Sequence, residues 1–337
     1  MVRLENIRPE ELDKFVVKTH PEANFLQSSG WGKVYELTHE KVFYLGLRDE
    51  GKLMGSAVVI LKPAKRGHYL EIPGGPLVDW GDKKVVKLLL DGLRELAEKE
   101  RCVFVRMRPN IEDNGKNRKI FGQSGLSVSP MHLHAEHTVM IDLTKSEDEL
   151  LAAMRRQTRY EVKRADRLGI RVDYDTSDKA FREFYEVQKE TALRQKFITS
   201  SEEFILAQRE VFGEEARIYR AEMNGEILAL GLILMQAPEA IYHEAASTEL
   251  GRKYPGAYAL QWRVTRDAKA MGLKRYNLFG IAPPNTKNHR YAGVTTFKMG
   301  FGGEAVSYLP AHDLVVNPLA YQMTKIIENA RKRKRHL

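Results

Sequence analysis

Cysteine is almost absent from this chain: Cys102 is the only one among 337 residues. A single cysteine excludes an internal disulfide framework and favours a reducing compartment. Cys102 lies in the apolar run Cys102-Val103-Phe104-Val105. A thiol in such a run is usually an inert core residue rather than a nucleophile.

Long hydrophobic runs are also missing. No apolar stretch approaches the roughly 20 residues that a membrane span requires. Residues 1–15 carry too many charges for a secretory signal peptide. We therefore expect a cytoplasmic protein, with contact at the inner face of the membrane left open.

The chain lacks the common catalytic signatures as well. It contains no Gly-x-Ser-x-Gly elbow, no Walker A loop and no dinucleotide fingerprint. Strand alternation would place His132 and His134 on one face, with His137 nearby. A zinc site needs further ligands and an organised second shell, and the sequence offers no such set. We expect no metal and no bound cofactor.

Positive charge is abundant. The net charge is +9 and the isoelectric point is about 9.3. This balance favours a polyanionic partner such as nucleic acid, a nucleotide-linked substrate or an anionic lipid surface. The basic run 331–335 fits a solvated helix end, or a weak attraction to RNA or to a membrane surface.

Two stretches of the chain repeat the same order of predicted elements: hairpin, strand, loop, helix and strand. The spacing from Gly51 to Cys102 is 51 residues, and the spacing from Gly225 to Tyr276 is also 51. Matched order at matched spacing indicates an internal duplication. The pattern predicts an α/β chain with mixed sheets, built from two tandem domains of the acetyltransferase-like (GNAT) type. We place the first at 1–145 plus 311–337 and the second at 146–310.

The segment between the two copies predicts one basic helix. Ser146-Glu147-Asp148-Glu149 forms a capping box, and Gly169 ends the helix. Cations almost without acidic partners favour contact with phosphate, against the alternative of an ordinary solvated face. They are Arg155, Arg156, Arg159, Lys163, Arg164 and Arg167.

The stretch 296–304 is the most unusual in the chain. Lys298 lies between Phe297 and Phe301, next to three glycines in four residues. Glycine allows a backbone to approach a ligand closely. We interpret the stretch as the wall of a site in which Lys298 faces an anionic or developing-anionic atom. The alternative is a glycine-rich hairpin with a surface lysine.

A series of short motifs runs along nearly the whole chain. They are Phe25-Leu26-Gln27-Ser28 with Trp31, Gly75-Pro76, Thr158-Arg159-Tyr160, Thr191-x-x-Arg194 with Phe197, Ala246-Ser247, Gln261-Trp262 with Ala268-Lys269 and Gly272, Tyr276 with Gly280-Ile281, and Phe297-Lys298-x-Gly300-Phe301-Gly302-Gly303. With these motifs the chain resembles the FemABX family of peptidoglycan-bridge aminoacyltransferases. That family has a duplicated GNAT-like architecture, which agrees with the repeat. No long heptad insertion is present, so the chain resembles the compact form without a coiled-coil arm.

The resemblance implies transfer of an amino acid from aminoacyl-tRNA, as co-substrate, to the stem-peptide amine of UDP-MurNAc-pentapeptide or lipid II. It implies that Lys298 stabilises the charge of the tetrahedral intermediate or of the leaving tRNA hydroxyl. Lys33 and Arg194 would hold the diphosphate or a stem carboxylate of the precursor. Tyr242, Tyr254 and Phe297 would line the substrate site, and the protein would act as a monomer.

The chain departs from the family pattern at two positions. Arg108-Pro109 stands where members commonly carry Asp-Pro, and Asn277 stands where an aspartate is usual. A general base is therefore not identified. Three alternatives stay open: a coenzyme A-dependent N-acyltransferase, a non-enzymatic tRNA- or RNA-binding module, and transfer of an amino acid to a protein N-terminus.

Overall fold

The computed structural model describes residues 3–64, 67–131, 134–195, 197–286 and 289–335. The chain divides into two compact units. Unit 1 is Met1–Glu136 with Ser307–Leu337, and unit 2 is His137–Val306.

Strands and helices alternate along the described residues. In chain order the strands are β1 (Arg3–Asn6), β2 (Lys41–Asp49), β3 (Lys52–Lys62), β4 (His68–Gly74), β5 (Leu77–Val78), β6 (Cys102–Pro109), β7 (Ser127–Val128), β8 (His137–Asp142), β9 (Arg171–Asp175), β10 (Ala216–Met223), β11 (Glu226–Gln236), β12 (Glu239–Ser247), β13 (Arg275–Asn277), β14 (Glu304–Ser307) and β15 (His312–Val315). The helices are α1 (Pro9–Thr19), α2 (Ser29–Leu37), α3 (Lys83–Lys99), α4 (Gly115–Gly122), α5 (Glu147–Ala153), α6 (Arg156–Arg167), α7 (Asp178–Gln195), α8 (Glu202–Phe212), α9 (Gly256–Ala270), α10 (Ala292–Met299) and α11 (Pro318–Arg335).

Unit 1 is built on a mixed sheet in the order β1-β2-β3-β4-β6-β15-β7, with β5 paired to β3. The pair β4–β6 is parallel, whereas β15 runs antiparallel to β6. Helix α3 buries Val86, Leu89 and Leu93 in the core of this unit, as its apolar periodicity predicts. Cys102 is buried there too, and burial raises the pKa of its thiol to about 11.

Unit 2 is built on a second mixed sheet in the order β14-β8-β13-β12-β11-β10-β9. Here the parallel pair is β12–β13, which covers Glu239–Ile241 of β12, and β11 pairs antiparallel with β12 along its length. The order β10-β11-β12-β13 in this unit matches β2-β3-β4-β6 in unit 1. The predicted mixed α/β class is confirmed, and the repeat is visible as two sheets with the same order.

The sequence and the structure differ in three places. The structure places β8 in the sheet of unit 2, paired with β13, whereas the predicted boundary at 145/146 assigned it to the first domain. The predicted long basic helix is two helices, because Met154 and Arg155 take extended backbone angles between α5 and α6. The residues around Lys298 form a helix, α10, which the sequence does not predict, and the alternative of a glycine-rich hairpin with a surface lysine is wrong.

None of the helices in the described part of the chain combines the length and the apolar character needed to cross a membrane.

Candidate active site

A buried lysine marks the site in unit 2. Lys298 lies in the last turn of α10 and is 8% exposed. Its Nζ donates a hydrogen bond of 2.8 Å to the backbone carbonyl of Gly280, in the loop after β13. Among the described residues it forms no ion pair, so no carboxylate neutralises this ammonium group.

Burial and an aromatic ring act on the charge of Lys298 in opposite directions. Desolvation disfavours the ammonium form and lowers the pKa of Lys298 to about 7. The Nζ atom lies 5.7 Å from the ring centroid of Tyr242, and the face of a tyrosine attracts a cation. Near neutral pH this amine can therefore exist in either form, and it can stabilise a negative charge that develops beside it.

The loop that carries the Gly280 carbonyl is fixed by Asn277. This buried amide accepts a hydrogen bond of 2.9 Å from the backbone N–H of Phe279 and one from the hydroxyl of Thr138. Its Nδ2 donates to Glu239 Oε1 at 3.1 Å. Asn277, which stands where the FemABX pattern has an aspartate, thus positions the loop against which Lys298 is bonded.

The glycines after Lys298 pack against protein backbone. Gly302 has φ +80°, and a Cβ on it would lie 2.5 Å from the carbonyl oxygen of Ala153. A Cβ on Gly303 would lie 2.6 Å from the carbonyl oxygen of Met140. The backbone N–H of Arg155 donates to Gly300 at 2.9 Å, so the break between α5 and α6 rests on this turn. The sequence predicts that these glycines let the backbone approach a ligand, whereas in the structure Gly302 and Gly303 approach the backbone of α5 and β8.

A family profile described as the FemAB family matches residues 7–125, 123–226 and 224–329, which is most of the chain. The chain belongs to the FemAB family. The buried Lys298 of this FemAB chain lies in Phe297-Lys298-x-Gly300-Phe301-Gly302-Gly303, one of the motifs by which the chain resembles the FemABX family.

Individual relatives agree with this assignment. A lipid II:glycine glycyltransferase from Staphylococcus aureus is 28% identical over 207 residues, which is 58% of this chain and 48% of that protein. This chain thus spans about half the length of the curated relatives that it matches. The crystal structure of FemX superposes with a TM-score of 0.83 at 18% identity, over 96% of this chain and 100% of that chain. A tandem GNAT protein from the clavulanic acid biosynthesis pathway superposes with a TM-score of 0.59 at 12% identity, over 94% and 99%. Both superpositions show the fold, which is the tandem GNAT-like fold predicted from the repeat.

Two motifs that lie far apart in the sequence meet at the end of β12. Thr191 Oγ1, on α7, donates 2.9 Å to the carbonyl of Ser247, and the Ser247 N–H donates back to it at 3.1 Å. Arg194 Nη2 donates to the same carbonyl, and Arg194 Nε is buried without a hydrogen-bond partner in the described ranges. Arg194 therefore keeps a donor that a ligand can use.

The other predicted substrate-binding residues have different surroundings. In unit 1, Lys33 on α2 is exposed and pairs with Glu36 at 3.1 Å. In unit 2, Phe297 is half-buried in an aromatic cluster, 5.0 Å from the ring of Tyr258 and 5.2 Å from that of Phe301. Tyr254 packs against the apolar core of that unit. Tyr242 is the one of these four that the described contacts join to Lys298.

The cations predicted to contact phosphate are Arg155 and those of α6, and they divide into two groups. Arg159 donates to the carbonyls of Ala152 and Met154 at 2.8 and 2.7 Å, and so caps the C-terminal end of α5. Arg164 pairs with Glu161 at 3.1 Å. Arg155, Arg156 and Lys163 are exposed.

The histidine segment gives no metal site in the part of the chain that the structure describes, where no cluster of three or more suitable ligands occurs. His132 lies outside the described residues, and with it the predicted pairing of His132 and His134 on one strand face. His137 begins β8.

Sequence reasoning missed two contributors to the site. The contribution of Gly280 cannot be predicted from its residue type, because every residue has a backbone carbonyl that could accept the hydrogen bond from Lys298. The role of Asn277 follows from its buried bonds to both β8 and β12, which only the sheet order brings together.

Proposed function

We propose that the protein transfers an amino acid from aminoacyl-tRNA to the stem-peptide amine of a peptidoglycan precursor, either UDP-linked muramyl pentapeptide or its lipid-linked form. The observation that carries this proposal is the buried Lys298, without an acidic partner among the described residues, on the most specific motif of the family. The similarity to the S. aureus lipid II:glycine glycyltransferase supports the reaction class.

The chemistry asks little beyond positioning and charge stabilisation. The donor ester is already activated, so the acceptor amine can attack its carbonyl without a covalent enzyme intermediate. Lys298, which is buried, is the group proposed to stabilise the oxyanion or the leaving tRNA hydroxyl. No general base is identified in the sequence. The proton of the attacking amine is therefore proposed to leave through the substrate.

Cations in both units fit the two substrates. Arg155, Arg156 and Lys163 offer exposed charges for tRNA phosphates, and the backbone of Arg155 contacts the turn after Lys298. In unit 2 Arg194, and in unit 1 Lys33, each offer a cation for the diphosphate or a carboxylate of the precursor. The protein is proposed to act as a monomer in the cytoplasm.

The experiment is mass spectrometry of UDP-linked muramyl pentapeptide, and of its lipid-linked form, after incubation with the protein and a mixed pool of charged tRNA. The expected result is a mass gain of one or more amino-acid residues on one acceptor, which also identifies the amino acid. Lys298→Ala should reduce the rate by about 100-fold or more, because a donor to a developing oxyanion is lost. Lys274→Ala, which removes an exposed lysine of the same unit, is the matched control and should retain activity.

Two results would replace this proposal. No gain on either acceptor, with tRNA charging verified and thermal protection by coenzyme A, would support a coenzyme A-dependent N-acyltransferase. No gain together with equal affinity for charged and uncharged tRNA would support an RNA-binding module.

A further inference from the structure

A second buried cation lies in unit 1, at the end of β6. Arg108 is 1% exposed, and its Nε and Nη1 atoms have no hydrogen-bond partner among the described residues. It forms no ion pair within those ranges. Burial lowers the pKa of Arg108 to about 10, so the guanidinium is still charged at neutral pH. Its Cζ lies 5.6 Å from the ring centroid of Tyr308.

Arg106, on the same strand, is a buried arginine that has carboxylate partners and can be compared with Arg108. Arg106 is 3% exposed and donates to Asp313 at 2.8 and 2.9 Å. It also donates to Glu328 at 3.1 and 2.8 Å. Within the described residues, Arg106 thus forms ion pairs with two carboxylates, whereas Arg108 forms none. A buried charge without a partner is strongly unfavourable, so a structural role alone does not account for Arg108.

Burial lowers the pKa of Arg108, and the charge of the Glu136 carboxylate acts in the opposite direction by favouring the charged guanidinium. The Oε1 atom of Glu136 accepts a hydrogen bond of 3.0 Å from the backbone N–H of Ala311, and it forms no ion pair with Arg108 in the described structure. This carboxylate is therefore engaged with the segment that leads into β15 and leaves the Nε and Nη1 donors of Arg108 available.

Arg108 lies at the carboxyl end of a pair of parallel strands. Pro73 of β4 lies opposite Arg108 and Gly74 lies opposite Pro109, so the carboxyl ends of the two parallel strands meet at this arginine. Open α/β sheets bind ligands outside the carboxyl ends of parallel strands. Asn110, two residues further on, also has a buried Oδ1 without a hydrogen-bond partner among the described residues.

We propose that Arg108 binds an oxyanion, a carboxylate or a phosphate, on a ligand held at the carboxyl ends of β4 and β6 in unit 1. The identity of that ligand rests on the proposed function, which makes it the amino-acid acceptor. Arg108 then selects an acceptor that carries a negative charge at this point.

The first test needs no ligand and compares Arg108→Met with Arg106→Met by thermal unfolding. Arg108→Met removes an unpaired buried charge, so its melting temperature should equal or exceed that of the native protein. Arg106→Met leaves two carboxylates unpaired and should melt several degrees lower. A loss in Arg108→Met as large as that in Arg106→Met would overturn the proposal, because Arg108 would then have its partners within the fold.

The second test measures binding of UDP-linked muramyl pentapeptide by calorimetry. Arg108→Met should bind it roughly ten-fold or more weakly than the native protein, because a hydrogen bond to a charged group is lost, and Arg108→Lys should recover part of the loss. Two altered acceptors identify the oxyanion: one with its peptide carboxylates amidated, the other without the nucleotide diphosphate. The difference between native protein and Arg108→Met should vanish for the form that lacks the bound group. Equal affinity of both proteins for the intact acceptor would contradict the proposal.

Failure of the proposed function is distinguishable from failure of this inference. If the native protein binds none of the three acceptors, the proposed function fails, and the comparison moves to sodium phosphate and sodium acetate against sodium chloride at equal ionic strength. Thermal protection of the native protein beyond that of Arg108→Met by either oxyanion supports the inference. Identical protection of both proteins overturns it.

Discussion

Burial of Lys298 links the charge of one residue to the stability of unit 2. Its folded-state pKa is about 7, whereas an unperturbed lysine titrates near 10.4. Between these values the unfolded chain binds more protons than the folded chain, so this group makes the free energy of unfolding rise with pH. Below about pH 7 both states are protonated, and the full penalty of the buried charge applies.

We therefore predict a pH-dependent difference between the native protein and Lys298→Met. The free energy of unfolding of the variant, relative to native, should be highest at pH 6.5 and should fall by about 3 kcal/mol as the pH rises to 9.5. The measurement is urea unfolding at several pH values. The variant also loses the hydrogen bond to Gly280, which changes the difference in free energy of unfolding by the same amount at every pH. A difference that does not vary with pH would therefore show that the pKa of Lys298 is not lowered.

Arg106 and Arg108 show that residue type alone does not reveal function. Both are buried arginines on one strand, and the sequence marks Arg108 only by its departure from the family pattern. The partners of Arg106, Asp313 and Glu328, lie more than 200 residues away in the sequence. Which arginine is satisfied within the fold becomes visible only when β15 and α11 are placed beside β6.

At the scale of secondary-structure elements, the turn after α10 packs against the end of α5. Gly302 combines a left-handed backbone with contact on the Ala153 carbonyl, so any side chain there is both strained and in collision. Gly293, inside α10, has no atom within 4 Å of an added Cβ and has an ordinary helical backbone. The same substitution should therefore have opposite effects at these two glycines.

Gly302→Ala should lower the free energy of unfolding by at least about 2 kcal/mol, because strain and collision add. Gly293→Ala, in the first turn of α10, should raise it by up to about 1 kcal/mol, because alanine has a higher helix propensity than glycine. Denaturant unfolding of both variants measures these changes. A destabilising effect of equal size at both positions would show that the turn does not depend on close contact with α5.

The elements that the sequence predicts well are those with strong local signals. The repeat marked by Gly51 and Gly225 is present, because each glycine lies between two paired strands, and α3 buries the apolar residues that its periodicity predicts. Helix α10 was missed because valine, threonine and glycine give its first half a low helix propensity. The break between α5 and α6 contains no proline or glycine. It depends instead on the bond between the Arg155 N–H and Gly300, which the local sequence cannot reveal.

At the scale of the whole molecule, the chain combines a net charge of +9 with a row of exposed apolar side chains on α11. Leu319, Met323 and Ile326 follow one face of this helix and are 84%, 60% and 63% exposed. The opposite face is held to the sheet of unit 1 by Tyr321, which is 3% exposed. The basic run 331–335 follows in the same helix. An apolar face beside a cluster of cations suits the surface of an anionic bilayer.

We expect the protein to sediment with phosphatidylglycerol-containing vesicles and to bind phosphatidylcholine vesicles at least ten-fold more weakly. Replacing Leu319, Met323 and Ile326 by serine should remove most of the binding, because three apolar side chains no longer enter the interface. Val17→Ser is the control, since Val17 is an exposed apolar residue of α1 outside this stripe. Unchanged vesicle binding of the triple variant, with loss of a dimer by light scattering, would assign the stripe to a second copy of the chain.

The insertion of unit 2 into the sequence of unit 1 also imposes an order on biosynthesis. Strand β15 occupies the place between β6 and β7 in the sheet of unit 1, yet a ribosome reaches His312 about 210 residues after Cys102. At ordinary elongation rates this interval lasts roughly 10 to 40 s. During that time the whole of unit 2 emerges, whereas β6 and β7 wait with unpaired edges that can attract other chains. The chain of unit 2 is therefore complete before β15 is made, and the edge of β6 that pairs with β15 stays open until then.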